Sequence, residues 1–364
     1  MKASKISHLL FLFLYVFSLS CSDDEGQQAE IEPIEELPFQ ELYDQGVDRY
    51  LGTITPVSSS PAGPGVTEHI FSSEDGPVCF TGNQFSMFTR NGSSNDLLIF
   101  LQGGGFCAPN ICEAVEEGIP FIPFGILSPN DPQNPVANYN VGYVPYCDGS
   151  MMSGDNEVDS DGDGVNDRFF KGQQNLSASL DVIFQNYPSP EKIVLAGNSA
   201  GGSAVHVALP LVRKLYPWTR IYIVNDSGQG IGTPGGFEVL FNYWNSNAFI
   251  PSSCTDCIGE DGNLTGLHDY QLKQDDNISM AYISSKQDSV TSVSMGGLAF
   301  EAELIEAATE LNNAHPGRFQ SLIDNGEAHT YLIRSFDIEI GGLSVRQWLA
   351  NMINESEDWD SVIE

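Results

Sequence analysis

The strongest chemical signal in the chain is the pentapeptide GNSAG at residues 197–201, which has the spacing G-x-S-x-G. It follows the apolar run Lys192–Ala196 and precedes a helical pattern, the strand–turn–helix context in which this spacing forms a nucleophile elbow. Glycines two places before and after the serine leave room for a tight turn, and the N-terminus of the following helix favours negative charge there. The pattern predicts Ser199 as a catalytic nucleophile. A glycine-rich loop that only turns the chain or holds a phosphate is the alternative.

A second glycine-rich segment, QGGGFC at residues 102–107, follows the apolar run Leu97–Leu101. Glycine runs after a buried strand are typical of loops whose backbone N–H groups stabilise the oxyanion of acyl transfer. We therefore expect the N–H groups of Gly104, Gly105 and Ala200 to form an oxyanion hole. A flexible turn without a ligand is the alternative.

An acidic segment, DSDGDGVND at residues 159–167, has the D-x-D-x-D-G spacing of calcium loops. The glutamate usual at position 12 is replaced by Phe170, so the segment is more similar to shorter extracellular calcium loops. We predict a structural Ca²⁺ site in an insertion near residues 155–169, and no cofactor for catalysis. A solvated acidic loop is the alternative. The expected ligands are Asp159, Asp161, Asp163, the Val165 carbonyl and Asp167.

The first residues are typical of an export signal. Lys2 and Lys5 precede an apolar run at residues 9–20, and twelve helical residues rise only about 18 Å, too short for a bilayer core of about 30 Å. The run ends at Cys21 in a stretch that resembles a bacterial lipobox, followed by SDDE, which is similar to a surface-export tag. We predict a lipoprotein signal peptide over residues 1–20, a lipid on Cys21 and a surface-exposed outer-membrane location. An ordinary signal peptide is the alternative.

The composition excludes some partners. The chain has 49 acidic and 15 basic residues, a formal net charge of −34, and such a field repels nucleic acid and anionic lipid head groups. Apart from Cys21, six cysteines remain. Three disulfides are expected in an extracytoplasmic compartment, although six cysteines allow 15 pairings. The local pairs Cys107/Cys112 and Cys254/Cys257 would leave Cys79 with Cys147. A zinc site is disfavoured because no histidine lies at ligand spacing.

The elements that must position these residues alternate between strand and helix. An acidic, proline-containing stretch at residues 21–42 is predicted to be a solvated tether, and residues 43–364 a single folded body. The alternation predicts an α/β fold with a mostly parallel central sheet and helices on both faces. We expect the first two strands to form a hairpin. Predicted strands are Phe85–Arg90, Leu97–Leu101, Val141–Pro145, Lys192–Ala196, Ile221–Val224 and Ser279–Ser284, and predicted helices are Leu176–Asn186, Ala200–Leu215, Ala299–Asn312 and Val345–Ile353.

Seven short stretches match, in order, the motifs of one enzyme family. They are CFTG at 79–82, LLIFLQGGGFC at 97–107, YVPYCDG at 143–149, SGD at 153–155, FKGQQN at 170–175, GNSAGG at 197–202 and NDSG at 225–228. Together they resemble the pectin acetylesterase family, which includes the animal Wnt deacylase Notum. The resemblance covers roughly residues 75–335 and implies an α/β-hydrolase-like fold and serine-dependent ester hydrolysis. The chain departs from the family at Gln102, where an acid is common, and at Phe106, where tryptophan is common.

The order Ser, Asp or Glu, His of such enzymes limits the remaining candidates. Among the histidines after Asp226, the resemblance favours His329, in a late loop, as the general base. His315 reads as a helix cap or a surface residue, and His206 lies too far along the helix after the nucleophile. For the acid, the resemblance favours Asp288, which follows a predicted strand, and Asp226 remains the rival.

Family analogy implies hydrolysis of acetyl esters on a polysaccharide. A longer-chain acyl or lipid ester is the alternative within enzymes. A non-catalytic surface lipoprotein that binds a glycan in the same cleft is the alternative from another class.

Overall fold

The computed structural model of the protein describes residues 37–294 and 299–364. Residues Leu37–Glu364 form one compact unit. The predicted signal peptide, Cys21 and the first part of the predicted tether lie outside the described residues. Phe39 and Leu42 are buried in the core, so the expected start of the body at residue 43 lies a few residues too late. No helix of the described part is long and apolar enough to cross a membrane.

The secondary structure alternates as the sequence predicts. The strands are β1 (Ser58–Gly63), β2 (Val66–Ile70), β3 (Ser86–Arg90), β4 (Leu97–Leu101), β5 (Cys107–Ala108), β6 (Ile111–Cys112), β7 (Asn140–Val144), β8 (Asn156–Val158), β9 (Arg168–Phe170), β10 (Lys192–Asn198), β11 (Arg220–Asp226), β12 (Ile278–Ser285), β13 (Phe319–Asp324), β14 (Glu339–Ile340), β15 (Leu343–Ser344) and β16 (Val362–Ile363). The helices are α1 (Gln40–Asp44), α2 (Gly172–Asn186), α3 (Ala200–Leu215), α4 (Gly236–Trp244), α5 (Thr265–Gln274), α6 (Thr291–Ser294), α7 (Phe300–Ala314) and α8 (Val345–Ile353).

Among the described residues the main sheet has ten strands in the order β1-β2-β3-β7-β4-β10-β11-β12-β13-β16. Pairing is parallel from β7 through β16 and antiparallel from β1 to β7. Strand β4 is buried along its whole length, and alternate residues enter different cores: Ile99 packs in one cluster and Phe100 in the other. Residues from α2 and α3 fill the first cluster, and residues from α8 fill the second. The fold is therefore α/β-hydrolase-like, with a mostly parallel sheet covered on both faces.

The expected hairpin of the first two predicted strands is wrong. Strand β3 pairs antiparallel with β7, and β7 pairs parallel with β4, so β7 lies between them. The turn-rich connection at residues 91–96 does not force β3 and β4 to pair directly. The apolar strand β7 is buried between them, and both of these neighbours are buried too. The predicted bounds of Leu97–Leu101 are observed unchanged, and those of the other strands differ by one or two residues at one or both ends. Strand β10, for example, runs on to Asn198.

Three disulfides join Cys79 to Cys147, Cys107 to Cys112 and Cys254 to Cys257. The predicted local pairs are confirmed.

Candidate active site

The sheet brings the candidate residues to one edge. Strands β4, β10, β11, β12 and β13 are parallel neighbours, so the loops after their carboxyl ends meet. The chain runs from β4 to β7 on one side and then returns to β10 on the other side of β4. This reversal between β4 and β10 is the topological switch point where α/β sheets form their binding crevice. The glycine-rich loop leaves β4 there, and Ser199 follows β10.

Ser199 lies in a sharp turn between β10 and α3. Its backbone has φ 54° and ψ −125°, a region that residues with side chains rarely adopt. A Cβ on Gly197 would lie 2.1 Å from the carbonyl oxygen of Gly201, and a Cβ on Gly201 would lie 2.1 Å from that of Leu101. Glycine is therefore required at both flanks, as the sequence pattern predicts. The turn is held by a 2.7 Å hydrogen bond from the N–H of Ser199 to the carbonyl oxygen of Asp226.

The glycine-rich loop after β4 packs directly against this turn. A Cβ on Gly103 would come within 2.8 Å of the Cβ of Ser199, and Gly105 has φ +77°. Within the described part of the chain, the N–H groups of Gly104 and Gly105 donate to no protein acceptor. Ala200 is the first residue of α3, so its N–H is one of the helix donors without an intrahelical acceptor. The three expected oxyanion donors thus lie on the two segments that meet at Ser199.

The imidazole of His329 is held by Asp288. Its Nδ1 lies 3.0 Å from Oδ1 and 2.8 Å from Oδ2 of that carboxylate. Since both neighbours are acceptors, Nδ1 carries the hydrogen and Nε2 remains available as a base. Asp288 is fully buried, and its Oδ1 also accepts the N–H groups of Val290 and Thr291, each at 2.9 Å. Burial alone would raise the pKa of Asp288, but the bonds from His329 and these amides outweigh it and lower the pKa.

Asp226, the rival acid, makes a different set of contacts. Its carboxylate accepts the N–H of Tyr331 at 2.9 Å and that of Leu332 at 2.8 Å, and it forms no hydrogen bond with the imidazole. Burial raises the pKa of Asp226 to about 7, although these two amides and the nearby His329 oppose the rise. The geometry therefore favours Asp288 over Asp226 as the acid that orients the base.

Ser199, His329 and the glycine-rich loop line one cavity of about 2090 Å³. This volume exceeds the several hundred Å³ typical of small-molecule sites. Of twelve large apolar side chains exposed among the described residues, eight line this cavity. They come from several separate segments, and sequence reasoning missed them because each segment alone is only a short apolar stretch. The eight are Ile111, Ile119, Ile122, Phe124, Val239, Val290, Val293 and Ile338.

Residues 66–234 match the family model described as Pectinacetylesterase. This segment of the chain is therefore similar to the pectinacetylesterase family. The matched region includes Ser199 and the glycine-rich loop and ends before Asp288 and His329.

The relatives carry two kinds of name. The chain is 27% identical over 212 residues to pectin acetylesterase 11 of Arabidopsis thaliana, covering 51% of this chain and 53% of that protein. It is 30% identical over 145 residues to the palmitoleoyl-protein carboxylesterase NOTUM of Schmidtea mediterranea, covering 35% of this chain and 27% of that protein. The palmitoleoyl-protein carboxylesterase notum2 of Xenopus laevis is 28% identical over 166 residues, 42% of this chain and 33% of that protein. The chain thus spans about half the length, or less, of these relatives.

The other histidines considered as bases lie elsewhere in the fold. His206 stacks on His268 with ring centroids 3.6 Å apart, and both are buried away from the cavity lining. Burial lowers the pKa of His206 to about 4, although a hydrogen bond with Gln271 opposes this. His315 is buried and is not a surface residue, and its Nε2 forms a 2.8 Å hydrogen bond with Oδ1 of Asp269. These contacts agree with structural roles.

The predicted calcium ligands are brought together in part. Carboxylate oxygens of Asp159, Asp161 and Asp163 all lie within 4.8 Å of one another. Asp167 instead accepts the N–H of Ser160 at 2.8 Å and its hydroxyl at 2.7 Å. The side chain of Val165 is exposed, at 66%. Three convergent carboxylates fit a hard cation such as Ca²⁺, which takes oxygen ligands.

Proposed function

We propose that the protein is a serine carboxylic-ester hydrolase with Ser199, His329 and Asp288 as its catalytic triad. The observation that carries the proposal is the imidazole of His329, which is oriented by a buried carboxylate and shares one cavity with Ser199 and the glycine-rich loop. The nucleophile, the base and the orienting acid follow in the chain in the order Ser, Asp, His.

In the first half of the reaction, His329 Nε2 takes the proton of the Ser199 hydroxyl as Oγ attacks the ester carbonyl. The carbonyl oxygen becomes an oxyanion, which the N–H groups of Gly104, Gly105 and Ala200 stabilise. The imidazolium is stabilised by Asp288, whose lowered pKa keeps it ionised. The C–O bond to the alcohol then breaks, the alcohol leaves with the proton from His329, and the acyl group stays on Ser199.

In the second half, water attacks the acyl-enzyme. His329 Nε2 removes a proton from this water, and the same three N–H groups stabilise the second oxyanion. When the bond to Ser199 Oγ breaks, the serine recovers its proton from the imidazolium and the carboxylic acid is released. The two halves use the same groups in the same positions.

Turnover of p-nitrophenyl acetate by purified protein tests this function. Ser199→Ala should reduce kcat to background, because no other hydroxyl replaces the nucleophile. Ser177→Ala is the matched control: this buried hydroxyl of α2 has no partner among the described residues and does not line the cavity. No turnover of any p-nitrophenyl ester from acetate to laurate, with glycan binding retained, would favour the non-catalytic glycan-binding alternative.

The relatives named as pectin acetylesterases support acetyl groups on a polysaccharide as the substrate. Acetate release from several acetylated polysaccharides, with Ser199→Ala as control, tests this choice. The protein would then bind an acylated carbohydrate and no nucleic acid, in keeping with its net charge of −34.

A longer acyl chain is the second candidate, and the apolar cavity favours it. Exposed aliphatic side chains around a nucleophile suit a hydrocarbon chain better than a sugar, because apolar area removed from water contributes about 25 cal/mol per Å². Phe124, 64% exposed at the cavity, and Trp218, 70% exposed elsewhere, form a matched pair. If long esters are the substrates, Phe124→Ser should raise KM for laurate more than for acetate. Trp218→Ser should change neither value.

Calcium binding by Asp159, Asp161 and Asp163 stays a prediction, with the Val165 carbonyl and Asp167 as further ligands. The ion would stabilise the loop and take no part in the ester chemistry. Added Ca²⁺ should raise the melting temperature of the wild-type protein, and Asp161→Asn should remove most of that increase. Equal stabilisation of both proteins would contradict the prediction.

Lipidation of Cys21 and a surface-exposed outer-membrane location also stay predictions. Metabolic labelling with a fatty acid should mark the full chain and should fail to mark Cys21→Ser. Labelling of both proteins would contradict the lipid anchor.

A further inference from the structure

Asp226 contacts both segments that carry the proposed nucleophile and base. Its carbonyl oxygen accepts the N–H of Ser199 at 2.7 Å. Its carboxylate accepts the N–H groups of Tyr331 and Leu332, two and three residues after His329. One fully buried residue at the end of β11 therefore links the nucleophile turn to the base segment.

An ionised carboxylate at this buried position does not stabilise the fold. Among the described residues no lysine or arginine forms an ion pair with Asp226. Burial raises its pKa to about 7, above the value of about 3.9 in an unfolded chain. The folded state thus holds this proton more tightly, and the free energy of unfolding falls as the pH rises from about 4 to about 7. Near neutral pH the ionised group destabilises the fold.

The base segment surrounds this carboxyl group. Among the described residues, the titratable side chains that interact with Asp226 are His329 and Tyr331, both on the segment after β13. The hydroxyl of Tyr331 donates to Asp324, and His329 faces Asp288 on its other side. The direct link from Asp226 to the base segment is therefore its pair of hydrogen bonds with backbone N–H groups.

We propose that Asp226 is a positioning residue, which fixes the base segment against the nucleophile turn. This inference rests on the proposed ester hydrolase. Asp288 orients the ring directly, and Asp226 acts through the backbone.

The test is the separation of kcat from KM for p-nitrophenyl acetate in Asp226→Asn. The amide keeps one acceptor oxygen where the carboxylate offers two, so the segment that carries His329 is held less firmly. Imperfect placement of the base should lower kcat by roughly 10- to 100-fold and leave KM within about twofold, because the base acts on the reacting atoms. Asp226→Ser, which is smaller, should show the same loss of kcat and serves if the amide variant does not fold.

Asp181→Asn is the matched control. Asp181 is a buried carboxylate of α2 that accepts the N–H of Gly52 at 2.7 Å, and burial raises its pKa to about 6. It does not line the cavity. This variant should change the stability and leave kcat unchanged.

The outcomes separate the two proposals. An undiminished kcat in Asp226→Asn, in a protein whose turnover still needs Ser199, would overturn the positioning role alone. A lower melting temperature with an unchanged kcat would show a merely structural role and would also overturn it. Full turnover in Ser199→Ala would instead overturn the proposed function.

Discussion

Two buried aspartates follow neighbouring parallel strands and have opposite properties. Asp288 comes after β12 and Asp226 ends β11, and both side chains are fully buried. The pKa of Asp288 is lowered, whereas the pKa of Asp226 is raised to about 7. Burial opposes ionisation at both sites, so the difference comes from the partners.

The partners also assign the roles. Asp288 receives an imidazole N–H at 2.8 Å and two backbone amides, and this set outweighs burial. Asp226 receives backbone amides and has His329 nearby without a hydrogen bond to the ring. A carboxylate at the edge of a sheet is therefore not a triad acid by position alone. It becomes one when the imidazole hydrogen points at it.

Replacing Asp288 should give the largest effect. Asp288→Asn keeps the volume but presents an amide to the imidazole, which favours the wrong tautomer, so kcat should fall by about 10⁴-fold. Steady-state hydrolysis of p-nitrophenyl acetate measures it. A loss in Asp226→Asn larger than in Asp288→Asn would exchange the two roles.

The double variant, with both Asp226→Asn and Asp288→Asn, tests whether the two residues act through the same group. Because both residues act through His329, the double variant should lose less than the product of the two single losses. A double-mutant cycle in kcat/KM measures the coupling. Strictly multiplicative losses would mean that Asp226 acts independently of the base.

The pH dependence of stability should show a smaller contrast. The raised pKa of Asp226 makes stability fall as the pH rises from about 4 to about 7, so Asp226→Asn should flatten that slope. The lowered pKa of Asp288 gives stability that is present above about pH 4 and is lost as the pH falls through the folded pKa. Asp288→Asn should remove that loss. Urea midpoints between pH 3 and pH 8 measure both slopes, and identical curves for the two variants would contradict the assignment.

The sequence could predict the half of the site that depends on short-range pattern. The strand before Ser199, the turn and helix α3 follow from apolar runs and from glycines that sterics require within a few residues. The helix is predicted and observed over Ala200–Leu215. The prediction of His329 as the base rests on the family resemblance. The strand before it, β13, contains polar residues that obscure the strand pattern, so the sequence alone does not place His329 at the edge of the sheet.

The contacts of Asp226 could not be predicted, because its carboxylate meets amides more than 100 residues away in sequence. The pairing of β3 failed for a similar reason. A turn-rich connection favours a hairpin locally, and only the later strand β7 shows that the neighbouring position is taken. The apolar residues around the cavity are assembled from separate segments in the same way.

Covalent labelling with a fluorophosphonate probe tests the central claim most directly, because it requires a serine activated by a nearby base. Intact mass and peptide mapping should show one adduct, located on Ser199, absent in Ser199→Ala and formed at least about 10³-fold more slowly in His329→Ala. Labelling at another residue, or an undiminished rate in His329→Ala, would contradict the account.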